Sequence, residues 1–416
     1  MTTLGSVSAC ADDRPAMRRD LPAEVVLDPS IRPSADGRQH RPLEEGPVLL
    51  TGATGFLGVY LLHELLTQTA ATVACLVRCR NVEEGAARLR AALESKALWH
   101  PDFAGRIRPV IGDLSKPMLG RSIGEWTELA ERIRAVFHCG ASVNFVLPYG
   151  MLKQANVGGT HEILRLAATG AGVALHYVST FGIFLTEEYA GQEVTEGECR
   201  KWQGLRYGYV QSKWVAEQLV TRARERGCPV TIYRPSFVGW HSRTGSFSPK
   251  IFLCALIQCC LRMGVAPEID LVVDVAPVDY VVGTIVQLAG RPGVAPFYHL
   301  GSPAPASWRN VIAACRALGR EVCFVSYDRW RHEFESLRGT ELYALAVLLP
   351  KTSAELAGSM LESLFADKVP RFVCHQRDAA SATGTCPLLD AKLLAPFVGL
   401  ETAGGSTDTV PDKQGD

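Results

Sequence analysis

A tyrosine and a lysine stand four residues apart in the segment Tyr209-Val210-Gln211-Ser212-Lys213. On an α-helix, positions i and i+4 lie on one face, so both side chains can reach the same substrate atom. A phenol with an unperturbed pKa of about 10 is a poor acid–base catalyst at neutral pH. A neighbouring ammonium group stabilises the phenolate form and so assists the exchange of a proton. The pair therefore predicts proton transfer by Tyr209, tuned by the charge of Lys213.

The same spacing occurs a second time, at Tyr149 and Lys153. Only Tyr209 follows a predicted strand that ends in hydroxyl side chains, Ser179 and Thr180. Such a strand end lies at the carboxyl edge of a sheet, where open α/β folds bind their ligands. We therefore interpret the earlier pair as a chance occurrence. We expect Thr180 to orient a substrate carbonyl oxygen, with Ser179 as the alternative for that role.

A glycine-rich loop, Thr51-Gly52-Ala53-Thr54-Gly55-Phe56-Leu57-Gly58, directly follows a short apolar strand and opens an amphipathic helix. Glycines allow a tight turn and a close approach of the backbone to a pyrophosphate, and the helix N-terminus supplies free N–H groups and a positive dipole end. A plain strand-to-helix turn is the alternative, but this context favours a bound dinucleotide. The residues predicted to contact it here are Thr51, Gly52, Thr54, Gly55, Phe56, Leu57 and Gly58.

The end of the second predicted strand indicates which dinucleotide is bound. In proteins that bind NAD, an acidic residue at this place binds the ribose hydroxyls, whereas this chain has Arg78. A guanidinium binds a 2′-phosphate with paired hydrogen bonds, and a carboxylate would repel it. Arg88, on the following helix, supplies a second positive charge, unless it belongs to a solvated helix face. The sequence therefore predicts NADPH rather than NADH.

Three other strand ends are expected to contact the cofactor. Asp113, with Leu114 beside it, is placed to meet the adenine edge, and Gly140 and Ala141 are placed to run beside the cofactor. Both segments are also compatible with ordinary turn chemistry. Residues 234–239 are predicted to pass near the nicotinamide, and Tyr209 and Lys213 to lie beside its ribose. The contacts predicted in that run are Pro235, Ser236 and Val238.

Regularly alternating strands and helices are needed to position these groups. Apolar strands are predicted at 48–50, 72–77, 107–111, 135–138, 175–178, 230–233 and 297–300, with helices at 56–66, 82–93, 151–168 and 209–225. Continuously apolar strands that alternate with helices indicate a parallel sheet covered on both faces. The fold class is therefore α/β, a doubly wound parallel sheet of the Rossmann type, with a smaller and mostly helical C-terminal substrate domain.

Changes in the hydrophobic pattern along the sequence predict how the chain divides into domains. Residues 1–45 form a flanking segment that is partly extended over the domain, and residues 46–302 form the dinucleotide-binding core. Within that core, residues 241–277 contribute to the substrate region. Residues 303–404 form the C-terminal substrate domain, and 405–416 form a mobile tail rich in small and polar residues.

Bulk composition narrows the class of protein. The chain has 416 residues, of which 47% are hydrophobic and 21% charged, and its formal net charge is zero, so no nucleic-acid partner is expected. The 13 cysteines contain no C-x-x-C pair, which predicts a reducing cytoplasmic compartment, and no metal site is expected. No secretory signal precedes the fold. The most apolar run, 251–261, is about half of the roughly 20 residues that span a bilayer, so we expect a core or pocket-lining helix and no membrane span.

These motifs together resemble the extended short-chain dehydrogenase/reductases. Within them the chain is similar to the thioester reductase domains that end nonribosomal peptide and polyketide synthetases and carboxylic acid reductases. The resemblance covers nearly the whole chain. Besides the glycine loop, it is carried by Asp20-Leu21-Pro22-Ala23-Glu24, Leu27-Asp28-Pro29-Ser30-Ile31, Ser142-Val143-Asn144-Phe145, Asn156-Val157-Gly158-Gly159-Thr160, Pro277-Val278-Asp279-Tyr280, Pro370-Arg371-Phe372 and Cys386-Pro387-Leu388-Leu389-Asp390.

The resemblance implies reductive release of an acyl or peptidyl thioester held on the phosphopantetheine arm of a carrier protein. It also places Asn156 among the cofactor-binding residues. NADPH would deliver a hydride to the thioester carbonyl, Thr180 and Tyr209 would meet the oxyanion, and the hemithioacetal would collapse to an aldehyde. A second hydride would carry the aldehyde to an alcohol. Because about 45 residues precede the fold, we expect a free-standing enzyme that acts in trans, although an excised domain would look the same.

Three alternatives use the same scaffold. A fatty acyl-CoA reductase would keep the chemistry and need no carrier protein. A sugar-nucleotide epimerase or dehydratase would hold NAD tightly through turnover, which Arg78 disfavours. A regulator that only binds the nucleotide would lack the pair Tyr209 and Lys213. The sequence does not identify the acyl group or the oligomeric state.

Overall fold

The computed structural model describes residues 20–33, 43 and 46–403, apart from 171, 200, 292, 357–358, 360, 362–368 and 376–383. Most of the predicted flanking segment 1–45 and all of the predicted tail 405–416 therefore lie outside the described residues.

Fifteen strands and eleven α-helices are described. The strands are β1 (Val48–Thr51), β2 (Val73–Val77), β3 (Ile107–Ile111), β4 (Ala135–His138), β5 (Ala174–Val178), β6 (Glu193–Val194), β7 (Val230–Pro235), β8 (Phe237–Val238), β9 (Val265–Pro267), β10 (Val272–Val273), β11 (Val275–Ala276), β12 (Phe297–Leu300), β13 (Ala306–Ser307), β14 (Cys323–Val325) and β15 (Arg371–Phe372). The helices are α1 (Phe56–Gln68), α2 (Val82–Glu94), α3 (Ile123–Arg132), α4 (Tyr149–Lys153), α5 (Gly159–Thr169), α6 (Gly208–Glu225), α7 (Phe252–Met263), α8 (Val278–Ala289), α9 (Trp308–Ala317), α10 (Tyr327–Glu333) and α11 (Ala391–Ala403).

The seven strands predicted from apolar runs form one sheet in the order β12-β7-β5-β4-β1-β2-β3. All its strand pairs are parallel. This confirms the predicted α/β class and the doubly wound arrangement. The strand order reverses at β1, which lies between β2 and β4. In open sheets of this kind, the carboxyl ends of the strands at the reversal point form the crevice in which ligands bind.

Alternating side chains along each strand face two different cores. In β1, Leu49 packs into one cluster, while Val48 and Leu50 pack into the other. Helices α3, α5 and α6 cover the first face of the sheet, and helices α1, α2 and α8 cover the second. Because both faces are buried, every residue of β1 is inaccessible to solvent, which explains why apolar continuity in the sequence predicts these strands well.

The prediction of a helix over 151–168 was wrong in the middle of that range. The structure has α4, then one turn of π-helix over Gln154–Gly158, and then α5. A π turn accommodates one extra residue in a helix and is often found at functional sites. Here the extra residue allows the buried Asn156 to point toward the strand ends. Apolar periodicity reports a helix on either side of such a turn and carries no signal for the insertion.

A third apolar cluster lies beyond the sheet. It is formed by α7, α9, α10 and α11 together with the intervening loops, and Trp240, Trp308 and Trp330 are fully buried in it. The apolar run 251–261 lies almost wholly in α7 and is buried there, as predicted for a core helix. No helix in the described ranges combines the length and the apolar character that a bilayer span requires. The boundaries of the C-terminal domain remain a prediction.

Residues 20–33 cross the helical layer formed by α4, the π turn and α6. Leu21, Val25, Leu27 and Ile31 are buried in the first core. The carboxylate of Glu24 accepts a hydrogen bond from the Tyr149 hydroxyl (3.3 Å) and pairs with the Lys153 ammonium (2.5 Å). The second tyrosine–lysine pair of the sequence therefore binds the chain's own N-terminal segment.

Within the glycine loop, two backbone segments approach each other closely at Gly58. A Cβ atom on Gly58 would lie 1.9 Å from the Gly52 carbonyl oxygen, which is far inside any real contact distance. We expect Gly58→Ala to lower the free energy of unfolding by at least the roughly 1–3 kcal/mol typical of overpacking and to abolish dinucleotide binding. Gly150→Ala is the matched control, because nothing lies within 4 Å of a Cβ at that helical position. Denaturant unfolding and cofactor titration measure both effects; equal behaviour of the two variants contradicts the close-approach argument.

Candidate active site

The glycine loop begins the site at the carboxyl end of β1. Gly52 adopts a left-handed backbone conformation (φ 76°), and a Cβ there would lie 2.8 Å from the Gly140 Cα atom of the loop after β4. Gly55 stands at the N-cap of α1, where the described part of the chain provides no side-chain cap. The N–H groups of the first helical turn thus face the crevice at the reversal point, in a cradle that side chains would fill.

Arg78 and Arg88 are brought together on the far side of this crevice. Arg78 is exposed directly after β2, and the Arg88 guanidinium donates a hydrogen bond to its carbonyl oxygen. Arg88 is exposed on α2, and this bond holds its guanidinium beside Arg78. Two positive charges therefore lie at the end of β2, the strand that pairs with β1.

Asp113, after β3, lies close enough to Arg78 to interact with its charge. Burial opposes ionisation of the Asp113 carboxyl, but hydrogen bonds from the Ser115 N–H and hydroxyl and the charge of Arg78 outweigh it and hold its pKa below the usual value. Its Oδ1 atom accepts both Ser115 bonds, at 2.9 and 2.8 Å. The carboxylate therefore stabilises the turn that precedes Lys116 and also faces the predicted adenosine end, with Leu114 half-buried beside it.

Thr51 does not face the crevice with its side chain. The residue is fully buried, and its hydroxyl bridges His138 Nδ1 (2.7 Å) and the Gly140 N–H (3.0 Å). Burial lowers the pKa of His138 to about 3, so this imidazole is neutral. The predicted contact of Thr51 with a cofactor could come only from its backbone. Its side chain instead fixes the loop that carries Gly140 and Ala141 against the end of β1.

Asn156 likewise acts inside the protein. Its side chain accepts a hydrogen bond from the Ser142 N–H (2.7 Å) and donates to the Ser142 carbonyl (3.1 Å) and the Ser212 hydroxyl (2.9 Å). Ser212 in turn donates to the Tyr209 carbonyl at 2.7 Å. The amide therefore joins the loop after β4 to the first turn of α6, which sets the distance between the cofactor cradle and the predicted catalytic helix.

The predicted catalytic residues meet where β5 ends against α6. Thr180 is half-buried and accepts a hydrogen bond from the Gly182 N–H (3.1 Å), which leaves its hydroxyl proton for a ligand. Ser179 is buried, and among the described residues its hydroxyl has no hydrogen-bond partner. Tyr209 is half-buried, and Lys213 lies one turn further along α6. Exposure thus favours Thr180 over Ser179 as the residue that meets a substrate.

Lys213 points its donors away from Tyr209. Its ammonium donates to the Tyr177 hydroxyl (2.6 Å) and to the Val178 carbonyl (2.8 Å). Burial lowers the pKa of Lys213 to about 7, against the opposing charge of Glu217. Burial also raises the pKa of Tyr209 to about 12. The expected lowering of the tyrosine pKa is therefore absent from this arrangement, because desolvation of the phenolate outweighs a lysine that is engaged elsewhere.

A buried ion pair fixes the next turn of α6. Arg234 and Glu217 are both fully inaccessible, with 2.7 Å between Arg234 Nη2 and Glu217 Oε1. Arg234 also donates to the Glu196 carbonyl (2.8 Å) and to His299 Nε2 (3.2 Å), and His299 Nδ1 donates to the Val373 carbonyl (2.8 Å). The pair thus connects α6 with β12 and the C-terminal segment 371–373.

The remaining residues predicted to contact the cofactor lie at the same carboxyl edge of the sheet. Pro235 ends β7, and Ser236 follows with a buried hydroxyl that has no hydrogen-bond partner among the described residues. Val238 lies in β8, which pairs with β11. The orphaned hydroxyls of Ser179 and Ser236 lie at neighbouring strand ends. Polar groups left unpaired in this way are typical of a site that a ligand completes, and together with the glycine cradle they fit a nicotinamide dinucleotide.

Aromatic side chains pack beside the phenol ring of Tyr209. Phe145 contacts Tyr209 edge to face, with 5.2 Å between ring centroids, and packs in the same way on Tyr207 at 6.2 Å. Phe145 and Tyr207 each touch both the first and the third apolar cluster. The exposed side chains of Val143 and Val146 stand on the same loop. Tyr209 therefore lies close to the boundary between the first and the third apolar cluster.

Sequence reasoning missed three buried polar residues of this site: His138, Thr160 and Tyr177. His138 Nε2 lies 3.0 Å from the Thr160 hydroxyl, the His138 and Tyr177 rings are 5.7 Å apart between centroids, and the Tyr177 hydroxyl accepts a hydrogen bond from Lys213. Each stands in a segment that is otherwise apolar or small, so its polarity in a buried element was the available signal. Only the packed structure shows that they meet.

Fold and site together define a dinucleotide-binding α/β protein, and comparison with known proteins specifies the family. Residues 50–285, more than half of the chain, match the NAD-binding family described as "Male sterility protein". The crystal structure of the terminal R domain from the myxalamid PKS-NRPS biosynthetic pathway has a TM-score of 0.81 and 38% identity, and the alignment covers 92% of this chain and 97% of that one.

Two curated relatives are similar over most of this chain. A linear gramicidin synthase of Brevibacillus parabrevis is 41% identical over 75% of this chain and 6% of its own length. Glycine betaine reductase of Emericella nidulans is 37% identical over 81% of this chain and 27% of its own length. The chain thus spans only a small part of these relatives. It belongs to the NAD(P)-binding reductase domains of the extended short-chain dehydrogenase/reductases, the family of the terminal R domains, which confirms the resemblance seen in the sequence.

The Thr51 bridge can be tested without a cofactor. Thr51→Val keeps the side-chain shape and leaves the Gly140 N–H and His138 Nδ1 without their partner. We expect a loss of about 1–3 kcal/mol in the free energy of unfolding, the usual cost of an unsatisfied buried polar group. Thr54→Val is the control, because Thr54 is exposed in the same loop. Denaturant titration measures both; an equally small loss in the two variants would show that the bridge contributes nothing.

Proposed function

We propose that this chain reduces an acyl or peptidyl thioester, held on the phosphopantetheine arm of a carrier protein, and releases it as an aldehyde with NADPH as reductant. The observation that carries the proposal is the convergence of Thr180, Tyr209 and Lys213 at the sheet edge beside the glycine cradle, in a chain of the terminal reductase family. The roles of the individual residues are part of the proposal, and so is action in trans in natural-product biosynthesis.

A bound nicotinamide supplies a hydride to the carbonyl carbon of the thioester. Tyr209 and Thr180 both donate hydrogen bonds to the carbonyl oxygen, where negative charge develops, and Tyr209 gives up its proton there. The raised pKa of Tyr209, about 12, keeps the phenol protonated at neutral pH, which is the form that donates. The hemithioacetal then loses its thiol, because breaking the C–S bond restores the carbonyl of the aldehyde.

Lys213 has two parts in this proposal. Its third N–H donor remains for the nicotinamide ribose after Tyr177 and Val178 have taken the other two. Its positive charge lies on the same helical face as Tyr209 and stabilises the phenolate that proton transfer leaves behind. Since burial lowers the pKa of Lys213 to about 7, this charge is present below neutral pH and is lost as the pH rises.

The chemistry is tested with purified full-length chain, NADPH and an acyl thioester presented on a phosphopantetheinylated carrier protein. Oxidation of NADPH is followed by absorbance, and the aldehyde and alcohol products are separated and quantified. We expect Tyr209→Phe to lower kcat by about 100- to 10,000-fold, the usual range for a general acid, while NADPH binding is retained. Tyr149→Phe is the matched control, since that phenol bonds to Glu24 in the helical layer, away from the sheet edge.

Unchanged turnover in Tyr209→Phe contradicts the assigned mechanism. The same assay with acyl-CoA separates the proposal from a fatty acyl-CoA reductase, which remains the alternative. A preference for the carrier-bound thioester in kcat/KM supports the proposal, and equal values for the two substrates favour the acyl-CoA reductase.

The choice of NADPH is also part of the proposal and rests on the paired guanidinium groups of Arg78 and Arg88. We expect Arg78→Asp to weaken NADPH binding at least about tenfold, because a hydrogen bond to a charged group contributes roughly 1.5–3 kcal/mol, and to leave NADH binding nearly unchanged. Arg80→Asp is the control, because the Arg80 guanidinium is already paired with Glu84 at 2.9 Å. Fluorescence titration with both nucleotides measures this, and equal losses for NADPH and NADH overturn the assignment.

A further inference from the structure

Tyr177 lies on β5 three residues before Thr180, and its hydroxyl is the nearest acceptor of the Lys213 ammonium, at 2.6 Å. We propose that Tyr177 is a positioning residue for the reductase reaction, which holds the charged form of Lys213 by accepting a hydrogen bond from its ammonium group. This inference rests on the proposed function for the role of Lys213. The hydrogen bond itself is a property of the buried residues.

Because Lys213 is buried, its ammonium N–H groups need hydrogen-bond acceptors inside the protein. The side chain is only 5% exposed, and a buried ammonium is costly unless its N–H groups are bonded. Tyr177 and the Val178 carbonyl take two of the three donors. Hydrogen bonds from an ionised donor are about twice as strong as neutral ones. The Tyr177 hydroxyl therefore favours the ammonium over the neutral amine, in opposition to the burial that favours the amine.

The polar residues next to Lys213 are bonded to one another in a fixed order. The Thr160 hydroxyl donates its single proton to the Asn156 carbonyl (2.7 Å), so His138 Nε2, 3.0 Å away, must donate to Thr160. The neutral imidazole then accepts from the Thr51 hydroxyl at Nδ1, at 2.7 Å. None of these bonds involves Lys213.

An ammonium group has three N–H donors and no lone pair, so the Tyr177 oxygen is the acceptor in its 2.6 Å bond with Lys213. The bond to the Val178 carbonyl has the same direction. Both acceptors lie on β5, and both bind the ammonium more strongly than they would bind a neutral amine. Tyr177 thus acts on the charged lysine as an acceptor.

Of the groups near Lys213, burial lowers the pKa of His138 to about 3 and raises the pKa of the Cys139 thiol to about 12, both far from neutral pH. Glu217 is held in the ion pair with Arg234. The pKa values of Tyr177 and Tyr209 are also raised, the latter to about 12. An alkaline limb close to neutral pH in the activity profile therefore reports Lys213. Removing one acceptor destabilises the ammonium, so it moves this limb to lower pH.

The test compares Tyr177→Phe with the unaltered chain and with Tyr233→Phe. Tyr233 is a fully buried tyrosine on the neighbouring strand β7, and its hydroxyl bonds to His176 at 3.1 Å. The profile of kcat/KM against pH is measured with NADPH and a carrier-bound thioester. We expect the alkaline limb of Tyr177→Phe to move down by about one pH unit, the scale set by losing one hydrogen bond to a charged group. We expect no movement of the limb in Tyr233→Phe.

A purely structural role for Tyr177 would lower activity at every pH and leave the limb in place, and that result overturns the proposal. The pH dependence of the NADPH dissociation constant, compared between the same three proteins, is a second readout that needs no thioester turnover. A downward shift there with no reductase activity would refute the proposed function and support the role of Tyr177 as an acceptor for Lys213. Reductase activity with neither shift would refute that role alone. If Tyr177→Phe fails to fold, Tyr177→Leu is measured instead, with a shift expected in the same direction.

Discussion

The fold depends on one constraint at the carboxyl ends of β1 and β4, where buried polar groups must hydrogen-bond to one another. Thr51, His138 and Thr160 form a continuous hydrogen-bonded line from these strand ends to α5, which runs from the Gly140 N–H to the Asn156 carbonyl. An unmet partner anywhere in the line would cost about 1–3 kcal/mol. The line therefore fixes how closely the loop after β4 approaches the glycine loop, and so determines the width of the cofactor cradle.

The predicted catalytic helix α6 is fixed by buried polar contacts at three positions along its length. Near its start, Asn156 bonds to Ser212. One residue on, Lys213 bonds to Tyr177, and one turn further Glu217 pairs with Arg234 inside the protein. Buried ion pairs contribute little net stability but are costly to break. The pair between Glu217 and Arg234 therefore fixes the position of α6. Through His299 it also reaches the C-terminal segment, so the sheet and the residues beyond it share one polar network.

Much of the architecture could be predicted because burial on both faces makes β1 and β2 apolar almost throughout and leaves largely apolar runs in the other strands of the sheet. The helix interrupted at Gln154–Gly158 could not, since a π turn preserves apolar spacing on either side of it. Among site residues, Arg78 and Arg88 were predicted to act together, and the structure places one against the carbonyl of the other. Thr51 and Asn156 were predicted to contact the cofactor, whereas their side chains bond within the protein.

The sequence by itself determined the family, the seven strands of the sheet, the preference for Tyr209 and Lys213 over the second tyrosine–lysine pair, and the chemical types at the site. Glycine spacing, tyrosine–lysine spacing, strand context and apolar runs are local properties of the chain. Only the tertiary structure showed that the second pair binds Glu24. It alone directed the donors of Lys213 toward Tyr177 and raised the pKa of Tyr209. Those properties follow from desolvation and from residues distant in sequence, and no local pattern encodes them.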